Sequence, residues 1–402
     1  MVVSRRRILG CAAAALSPAV ARAASSLPIR IGVLTDMNGP FADNTGLGSV
    51  IAARLAAEGF GNQVLDRPVE ILSADHQNKA DIAASIARAW VDTEGVTAIA
   101  DGASSSAGLA IQQVAREKRC VFVISGSTSS DLTNRACSPF GFHFVADTYA
   151  FGHSTGRALT RLGGDSWFFV TADYAFGHAL ERDTAQAVTE AGGKVLGAVR
   201  HPLGTTDFGS YLTQAHNSGA KVIGFANAGA DLQNALKQSA EFRTAGSGQR
   251  LAALLLLITN VRALGLPVVQ GLTLSTSFYW DLNDATRAWT KRFKAHKDYP
   301  PTMMQAGTYS GVHHYLRAVQ ATETTSGDAV VAAMRAMPVD DMFNDGVLIR
   351  QDGRVLQRLY VMRVKSPSES AYTDDFYTQL SVIPGEEAFR PLAQSECDLV
   401  QR

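Results

Sequence analysis

The chain has 402 residues, which is more than one hydrophobic core usually holds, so two domains are expected. Its 37 basic and 37 acidic side chains balance to a net charge of 0. This balance excludes nucleic acid and anionic membrane surfaces as expected partners. Beyond the N-terminal segment, no apolar stretch reaches the roughly 20 residues that span a bilayer.

Residues 1–23 have the features of a cleaved export signal. Three consecutive arginines precede an apolar run at residues 8–16, and a small-x-small sequence ending at Ala23 supplies a cleavage site. Removing this segment deletes four arginines and changes the net charge from 0 to −4. We therefore expect a periplasmic protein, exported by either the twin-arginine or the general secretory route.

Strands and helices alternate through the first half of the exported chain. Strands are predicted at residues 29–34, 69–72, 96–100 and 120–124. Helices are predicted between them, at residues 49–60, 81–91 and 109–117. Such alternation is typical of a parallel sheet that is covered by helices on both faces.

The alternation restarts in the second half. Strands are predicted at residues 167–171, 194–200, 222–226 and 251–258, and helices at 177–191, 208–218 and 232–242. The last third adds helices at 286–293 and 304–322 and a strand pair formed by 345–350 and 355–364.

These patterns predict an α/β protein with two Rossmann-like lobes, each built on a parallel sheet. We expect the last third to return to both lobes, so that several chain crossings form a hinge. The first lobe is predicted at residues 27–146 plus 279–344, and the second at 147–278 plus 345–402.

No catalytic or metal-binding motif is found. Gly-x-Ser-x-Gly, His-Glu-x-x-His and the P-loop are absent, and Gly46-Leu47-Gly48 is followed by Ile51 where a dinucleotide site has a third glycine. We expect no enzymatic activity, no cofactor and no metal. Two alternative functions remain. A hydrolase would need a general base that the fold brings from elsewhere in the chain to the serine- and threonine-rich loops at residues 104–106 and 125–130. A ligand sensor that signals to a receptor would have the same two-lobed fold as a transport protein.

Polar loops at the carboxyl ends of adjacent strands form the candidate ligand site. Residues 104–106 are three serines that begin a helix, and residues 125–130 end the next strand with a second Ser/Thr-rich loop. Each loop alone could be an ordinary helix cap, but together they favour a shared carboxylate site. The candidates are Ser105, Ser106, Gly126, Ser127 and Thr128.

The second half offers aromatic side chains at the equivalent position. Tyr174 and Phe176 lie between a predicted strand and a predicted helix, where their rings could cover an apolar ligand. The alternative for each ring is packing beneath the helix.

The sequence resembles the branched-chain amino-acid-binding family of ABC importers, whose members have the type I periplasmic binding protein fold. The resemblance rests on residues 31–40 (Ile-Gly-Val-Leu-Thr-Asp-Met-Asn-Gly-Pro), the two Ser/Thr loops and residues 173–178 (Asp-Tyr-Ala-Phe-Gly-His). Residues 74–79 and 278–281 and the ending around Cys397 are similar to a subgroup that often binds aromatic acids. The resemblance implies a monomeric solute-binding protein whose partners are a small-molecule ligand and the permease subunits of a membrane importer.

The same resemblance assigns roles to individual residues. Ser105 matches the serine that holds the ligand carboxylate, and Gly126 and Thr128 match positions of the second loop. Phe176, with Tyr174 beside it, matches an aromatic residue of the second lobe. Asn44 occupies a position where amino-acid binders often have tyrosine.

Two further positions depart from the amino-acid binders. Gln270, before Gly271, matches a position where those proteins have an acidic residue that binds the ligand ammonium. The loop beginning at Asn227 lacks the tyrosines of leucine binders. An aromatic or other organic acid is therefore expected in preference to an α-amino acid, whose ammonium would be buried without a partner.

The resemblance also implies a disulfide between Cys137 and Cys397. Cys120 lies in an apolar predicted strand, where a buried free thiol is expected.

Overall fold

The computed structural model describes residues 27–243 and 248–400, and the predicted export signal at residues 1–23 lies outside them. Within the described ranges, no helix combines the length and the apolarity needed to cross a membrane.

The first sheet has six strands in the order β2-β3-β1-β4-β5-β6. All neighbouring strands pair in parallel except β2, which is antiparallel to β3. The strands are β1 (Ile29–Thr35), β2 (Gln63–Val64), β3 (Arg67–Asp75), β4 (Val96–Asp101), β5 (Val121–Ile124) and β6 (Gly141–His143). The connecting helices are α1 (Gly46–Glu58), α2 (Ala80–Asp92) and α3 (Ser105–Lys118).

The central strands of this sheet are buried along almost their whole length because helices cover both faces. Every residue of β5 is buried, and β1 and β4 each have a single partly exposed position. On α2 the buried side chains, Ala83, Ala87 and Trp90, recur at helical spacing and pack against the sheet.

The second sheet is parallel, with the strand order β10-β9-β7-β8. Its strands are β7 (Ser166–Ala172), β8 (Lys194–His201), β9 (Val222–Ala226) and β10 (Arg250–Ala253). The helices of this part are α4 (Thr148–Phe151), α5 (Arg157–Arg161), α6 (Ala175–Glu190), α7 (Gly209–Asn217), α8 (Gly229–Arg243), α9 (Ile258–Leu264) and α10 (Leu266–Val269), with a π-helical turn at Gly152–Gly156 between α4 and α5.

The last third returns to both parts of the molecule, as the sequence predicts. A third, antiparallel sheet has the order β11-β12-β13, and the helices α11 to α13 lie between β11 and β12 in the chain. α12 packs along α1 and against β4 and β5. The elements are β11 (Thr273–Thr276), α11 (Asp284–Lys294), α12 (Met303–Thr322), α13 (Gly327–Ala336), β12 (Leu359–Val364), β13 (Tyr377–Ile383) and α14 (Gly385–Ala388).

Two predicted strands are wrong in part. Residues 251–258 are not one strand, because β10 ends at Ala253 and α9 begins at Ile258. The intervening leucines are all buried, so an apolar pattern could not distinguish a strand from a buried turn. The predicted pair of 345–350 with 355–364 is reduced to an isolated bridge between Ile349 and Val355, since β12 pairs with β11 and β13 instead.

The contacts of residues 345–355 modify the predicted lobe boundaries. Val347 bridges to Val339, and Arg354 bridges to His143 of β6, so this segment lies against the first lobe. We therefore propose that the last crossing into the second lobe comes after Val355 rather than at residue 345. With this boundary, we propose that the chain crosses between the lobes after β6, after β11 and before β12.

Candidate functional site

A cavity of about 270 Å³ lies where the carboxyl ends of the first sheet face the second lobe. Ligands of open α/β proteins bind at this edge of the sheet. The lining residues come from both lobes and are Phe41, Asn44, Ala103, Ser105, Gly126, Thr128, Tyr174, Phe176, Ala228, Leu255 and Met304. Among the residues that the structure describes, no charged side chain lines this cavity.

The loop between β4 and α3 presents Ser105 to this cavity. Ser104 caps the helix, since its hydroxyl accepts from the Ala107 amide at 3.4 Å. Ser105 is therefore the first residue of α3, where backbone N–H groups have no partner within the helix. The Ser105 hydroxyl oxygen accepts from Ser129 N at 3.2 Å, which leaves its proton available to a ligand.

Asp101, at the end of β4, supports both Ser/Thr loops. Its Oδ1 accepts from Ala103 N at 2.8 Å, and its carbonyl accepts from Gly126 N at 3.0 Å. A Cβ on Gly126 would lie only 1.8 Å from Asp101 Oδ1, so glycine is required at this point of the cavity wall. Complete burial raises the pKa of Asp101 to about 6.

The two neighbouring hydroxyls of the second loop have different roles. Ser127 donates to Gly102 O at 2.8 Å and Ser104 O at 3.0 Å, so it joins the two loops instead of facing the cavity. Thr128 lines the cavity, and its backbone carbonyl accepts from Thr148 N at 2.9 Å. Thr128 thus lines the cavity on a backbone that is held in place by this bond.

The loop after β1 is held by one carboxylate. Asp36 Oδ1 accepts from Gly39 N at 2.7 Å, and Oδ2 accepts from Phe41 N at 2.9 Å and from Asn78 Nδ2 at 2.8 Å. These bonds fold the loop so that Phe41 and Asn44 reach the cavity.

Aromatic rings form a second part of the cavity lining. The ring centroids of Phe41 and Tyr174 are 6.2 Å apart, and those of Tyr174 and Phe176 are 5.9 Å apart. Burial raises the pKa of Tyr174 well above its ordinary value, so its phenol is neutral.

The two lobes touch across the cavity. Ala230 N donates to Pro40 O at 3.1 Å, and Thr259 Oγ1 donates to Asn44 Oδ1 at 2.9 Å. Gly229 has φ +61°, and a Cβ there would lie 2.3 Å from Pro40 O, so this close approach requires glycine. The two lobes are therefore in direct contact beside the cavity.

The structure brings together most of the residues that the sequence singled out. Six of the ten candidates line the cavity: Asn44, Ser105, Gly126, Thr128, Tyr174 and Phe176. Five lining residues were not anticipated: Phe41, Ala103, Ala228, Leu255 and Met304. Phe41 follows Gly39-Pro40 of the family-like segment, a signal that could have identified it.

The other four candidates lie outside the lining. Ser106 is half-buried in the first turn of α3, and Ser127 bonds to backbone carbonyls. Asn227 is buried with its Nδ2 3.2 Å from His201 Nε2. Gln270 is exposed in the turn before β11, where its amide donates to Pro267 O at 3.2 Å, so it does not stand where the ammonium-binding acid was expected.

The predicted cysteine pairing is confirmed. Cys137 and Cys397 form a disulfide across a sequence separation of 260 residues. Cys120 is free and buried, and burial raises the pKa of its thiol to about 12.

Two lobes with parallel sheets, crossed repeatedly by the chain and closing over a cavity, define the class of type I periplasmic binding proteins. A model of the periplasmic binding protein family matches residues 28–371. The chain belongs to this family. The family and fold are those of solute-binding proteins rather than of enzymes.

Several known proteins are similar over nearly the whole chain. A periplasmic binding protein from Burkholderia mallei shares 44% identity with a TM-score of 0.92, covering 94% of this chain and 100% of that one. A branched-chain amino acid ABC transporter periplasmic ligand-binding protein from Burkholderia xenovorans shares 36% identity with a TM-score of 0.82, covering 93% and 100%. The Leu/Ile/Val-binding protein homolog 6 of Brucella melitensis is 24% identical over 364 residues, which is 88% of this chain and 91% of the relative. The chain is thus a periplasmic ligand-binding protein of the ABC-transporter type.

Proposed function

We propose that this protein captures a small organic acid, in the first place an aromatic acid, between its two lobes and delivers it to the permease of an importer. The observation that carries the proposal is the chemistry of the cavity lining. It has two hydroxyls beside a helix N-terminus, several aromatic and aliphatic side chains, and no charged group.

The hydroxyl end of the cavity suits a carboxylate. Ser105 is the first residue of α3, a helix of 14 residues, so a carboxylate there would meet unpartnered N–H groups and the positive end of the helix dipole. The hydroxyls of Ser105 and Thr128 would add charge-assisted hydrogen bonds. Binding of this kind needs no basic side chain.

The remainder of the cavity suits a flat apolar body. Phe41, Tyr174 and Phe176 supply ring faces and edges, and Leu255 and Met304 supply aliphatic surface.

An α-amino acid fits this lining less well. Its ammonium group would be buried among neutral side chains, because no carboxylate lines the cavity and Gln270 lies outside it. Proteins of the same fold from Rhodopseudomonas palustris, 19% identical to this chain, have been crystallised with 3,4-dihydroxybenzoic acid and with benzoate. Proteins of this fold can thus bind aromatic acids.

The mechanism follows from the cross-lobe contacts. The ligand would dock its carboxylate on the first lobe, and the second lobe would then close through contacts such as Ala230 N to Pro40 O. Closure presents a surface that the open form lacks, and we propose that permease subunits recognise it. Cleavage near Ala23 would release the protein into the periplasm.

A thermal-shift and calorimetry screen tests this function. The chain without residues 1–23 is titrated with benzoate, hydroxylated benzoates, aliphatic monocarboxylates and leucine. Ligands that bind only the folded form raise the melting temperature. We expect the aromatic acids to give the largest shifts, and a shift with leucine but none with any acid would overturn the proposal.

A further inference from the structure

The Asn44 amide is an incompletely satisfied polar group in the wall of the cavity. The residue is 2% exposed, and its Oδ1 accepts from Thr259 Oγ1 at 2.9 Å. Its Nδ2 is buried and has no hydrogen-bond partner among the described residues. An amide nitrogen carries two N–H donors, and leaving buried donors unpaired opposes closure of the cavity.

The surrounding bonds fix where this donor points. Asn44 N donates to Phe41 O at 2.9 Å, and Asn44 O accepts from Thr302 Oγ1 at 2.7 Å, which holds the backbone. Thr259 belongs to α9 of the second lobe and engages the amide oxygen, so the NH₂ group is left for the cavity. The orientation of the amide therefore depends on closure of the lobes.

Asn44 and the carboxylate end lie on different loops of the first lobe. Asn44 belongs to the loop between β1 and α1, whereas Ser105 follows β4 and Thr128 follows β5. All three residues line the same cavity. A ligand that is held by its carboxylate at Ser105 and Thr128 would therefore present another part of its body to Asn44.

Building on the proposed function, we infer that Asn44 determines specificity for the far end of the ligand. Its NH₂ group donates to a neutral oxygen on the ring, and Thr259 holds the amide in that orientation. The ligand class is narrowed to aromatic acids with a hydroxyl or carbonyl on the ring, away from the carboxylate. A second carboxylate is disfavoured because no cation lines the cavity to balance it.

Matched ligands test the inference by calorimetry on the chain without residues 1–23. Benzoate has no ring oxygen, 4-formylbenzoate offers only an acceptor, 4-hydroxybenzoate offers both functions, and 4-aminobenzoate offers chiefly donors. We expect the two oxygen-bearing ligands to bind roughly fivefold to tenfold more tightly than benzoate, and the amino compound to show no such gain.

Substitutions of Asn44 and Thr259 test whether these two residues cause the tighter binding of the oxygen-bearing ligands. In Asn44→Leu, the ratio of the affinities for 4-formylbenzoate and benzoate should fall to about one, whatever the affinity for benzoate itself. Thr259→Val should reduce that ratio and improve 4-aminobenzoate, because the amide can then turn its oxygen inward, whereas Thr259→Ser keeps the hydroxyl and serves as the control.

The outcomes separate this inference from the function on which it rests. If benzoate binds but the oxygen advantage is absent, or persists in Asn44→Leu, the role of Asn44 is overturned and the proposed function stands. A preference for 4-aminobenzoate in the unmodified chain also overturns it. If only aliphatic acids bind the unmodified chain, this inference fails while capture of an organic acid stands. If no acid binds, the proposed function fails and this inference fails with it.

Discussion

Arg354 Nη2 lies 2.6 Å from Asp147 Oδ2, and both residues are buried at the junction of the lobes. Asp147 belongs to the crossing after β6, and Arg354 directly precedes the crossing into β12. The guanidinium also donates to Val145 O at 2.6 Å and stacks on the Phe389 ring at 4.4 Å. This ion pair therefore ties two of the hinge segments together.

Asp147→Asn should strongly destabilise the protein. The substitution leaves the Arg354 charge buried without its counter-ion, which typically costs about 3–5 kcal/mol of unfolding free energy. The α4 cap, in which Asp147 Oδ1 accepts from Ala150 N, can be kept by asparagine. Urea unfolding measures the change, and a loss below about 1 kcal/mol would contradict it. As the control, Glu117→Gln removes an exposed partner of Arg88 and should cost under about 1 kcal/mol.

Ser105→Ala should weaken binding of an acid ligand by about 1.5–3 kcal/mol, because a hydrogen bond to a charged group is lost. Ser106→Ala is the matched control, since the neighbouring serine lies outside the cavity lining. Calorimetry with the tightest aromatic acid of the screen compares the two variants. Equal affinities for Ser105→Ala and the unmodified chain would remove Ser105 from the carboxylate site.

The buried carboxyl of Asp101 should make stability depend on pH. Burial raises its pKa from 3.8 to about 6 in the folded state, so the folded protein retains this proton more strongly than the unfolded chain. The resulting stabilisation is complete below pH 4 and is lost as the pH rises through about 6, by on the order of 3 kcal/mol.

Asp101→Asn removes this titration and reveals its sign. Urea unfolding at several pH values gives the unfolding free energy of the variant minus that of the unmodified chain. This difference should increase between pH 4 and pH 7, because only the unmodified chain loses the stabilisation. A difference that is constant with pH, or that falls, would show that Asp101 does not titrate in this range.

Reduction of the disulfide should lower the melting temperature. The bond closes a loop across 260 residues of sequence, and loss of such a link typically costs about 2–5 kcal/mol. A Cys120→Ala variant, which lacks the buried free thiol, should respond to reductant by the same amount. Alkylation of the unfolded, unreduced chain lacking residues 1–23 should label one cysteine; three labelled cysteines would rule the disulfide out.

Sequence patterns were sufficient for the architecture and for much of the cavity. The alternation of apolar strands with helices predicted both parallel sheets, because a strand covered on both faces must be apolar throughout. Ser105 and Thr128 were found because loops after adjacent parallel strands meet at one edge of the sheet. These relations are local in sequence and follow from chain geometry.

Sequence patterns did not predict the contacts between segments that are far apart in the chain. Leu255 was assigned to a strand, but it lies in a buried turn that lines the cavity, and burial alone leaves the same apolar signal. Gln270 was placed in the site, yet the turn before β11 exposes it to solvent. The bond between Asn44 and Thr259 joins residues 215 positions apart and exists because the lobes close over the cavity. Such contacts depend on how whole sheets pack against each other, and a linear pattern of apolar and polar residues contains no record of that packing.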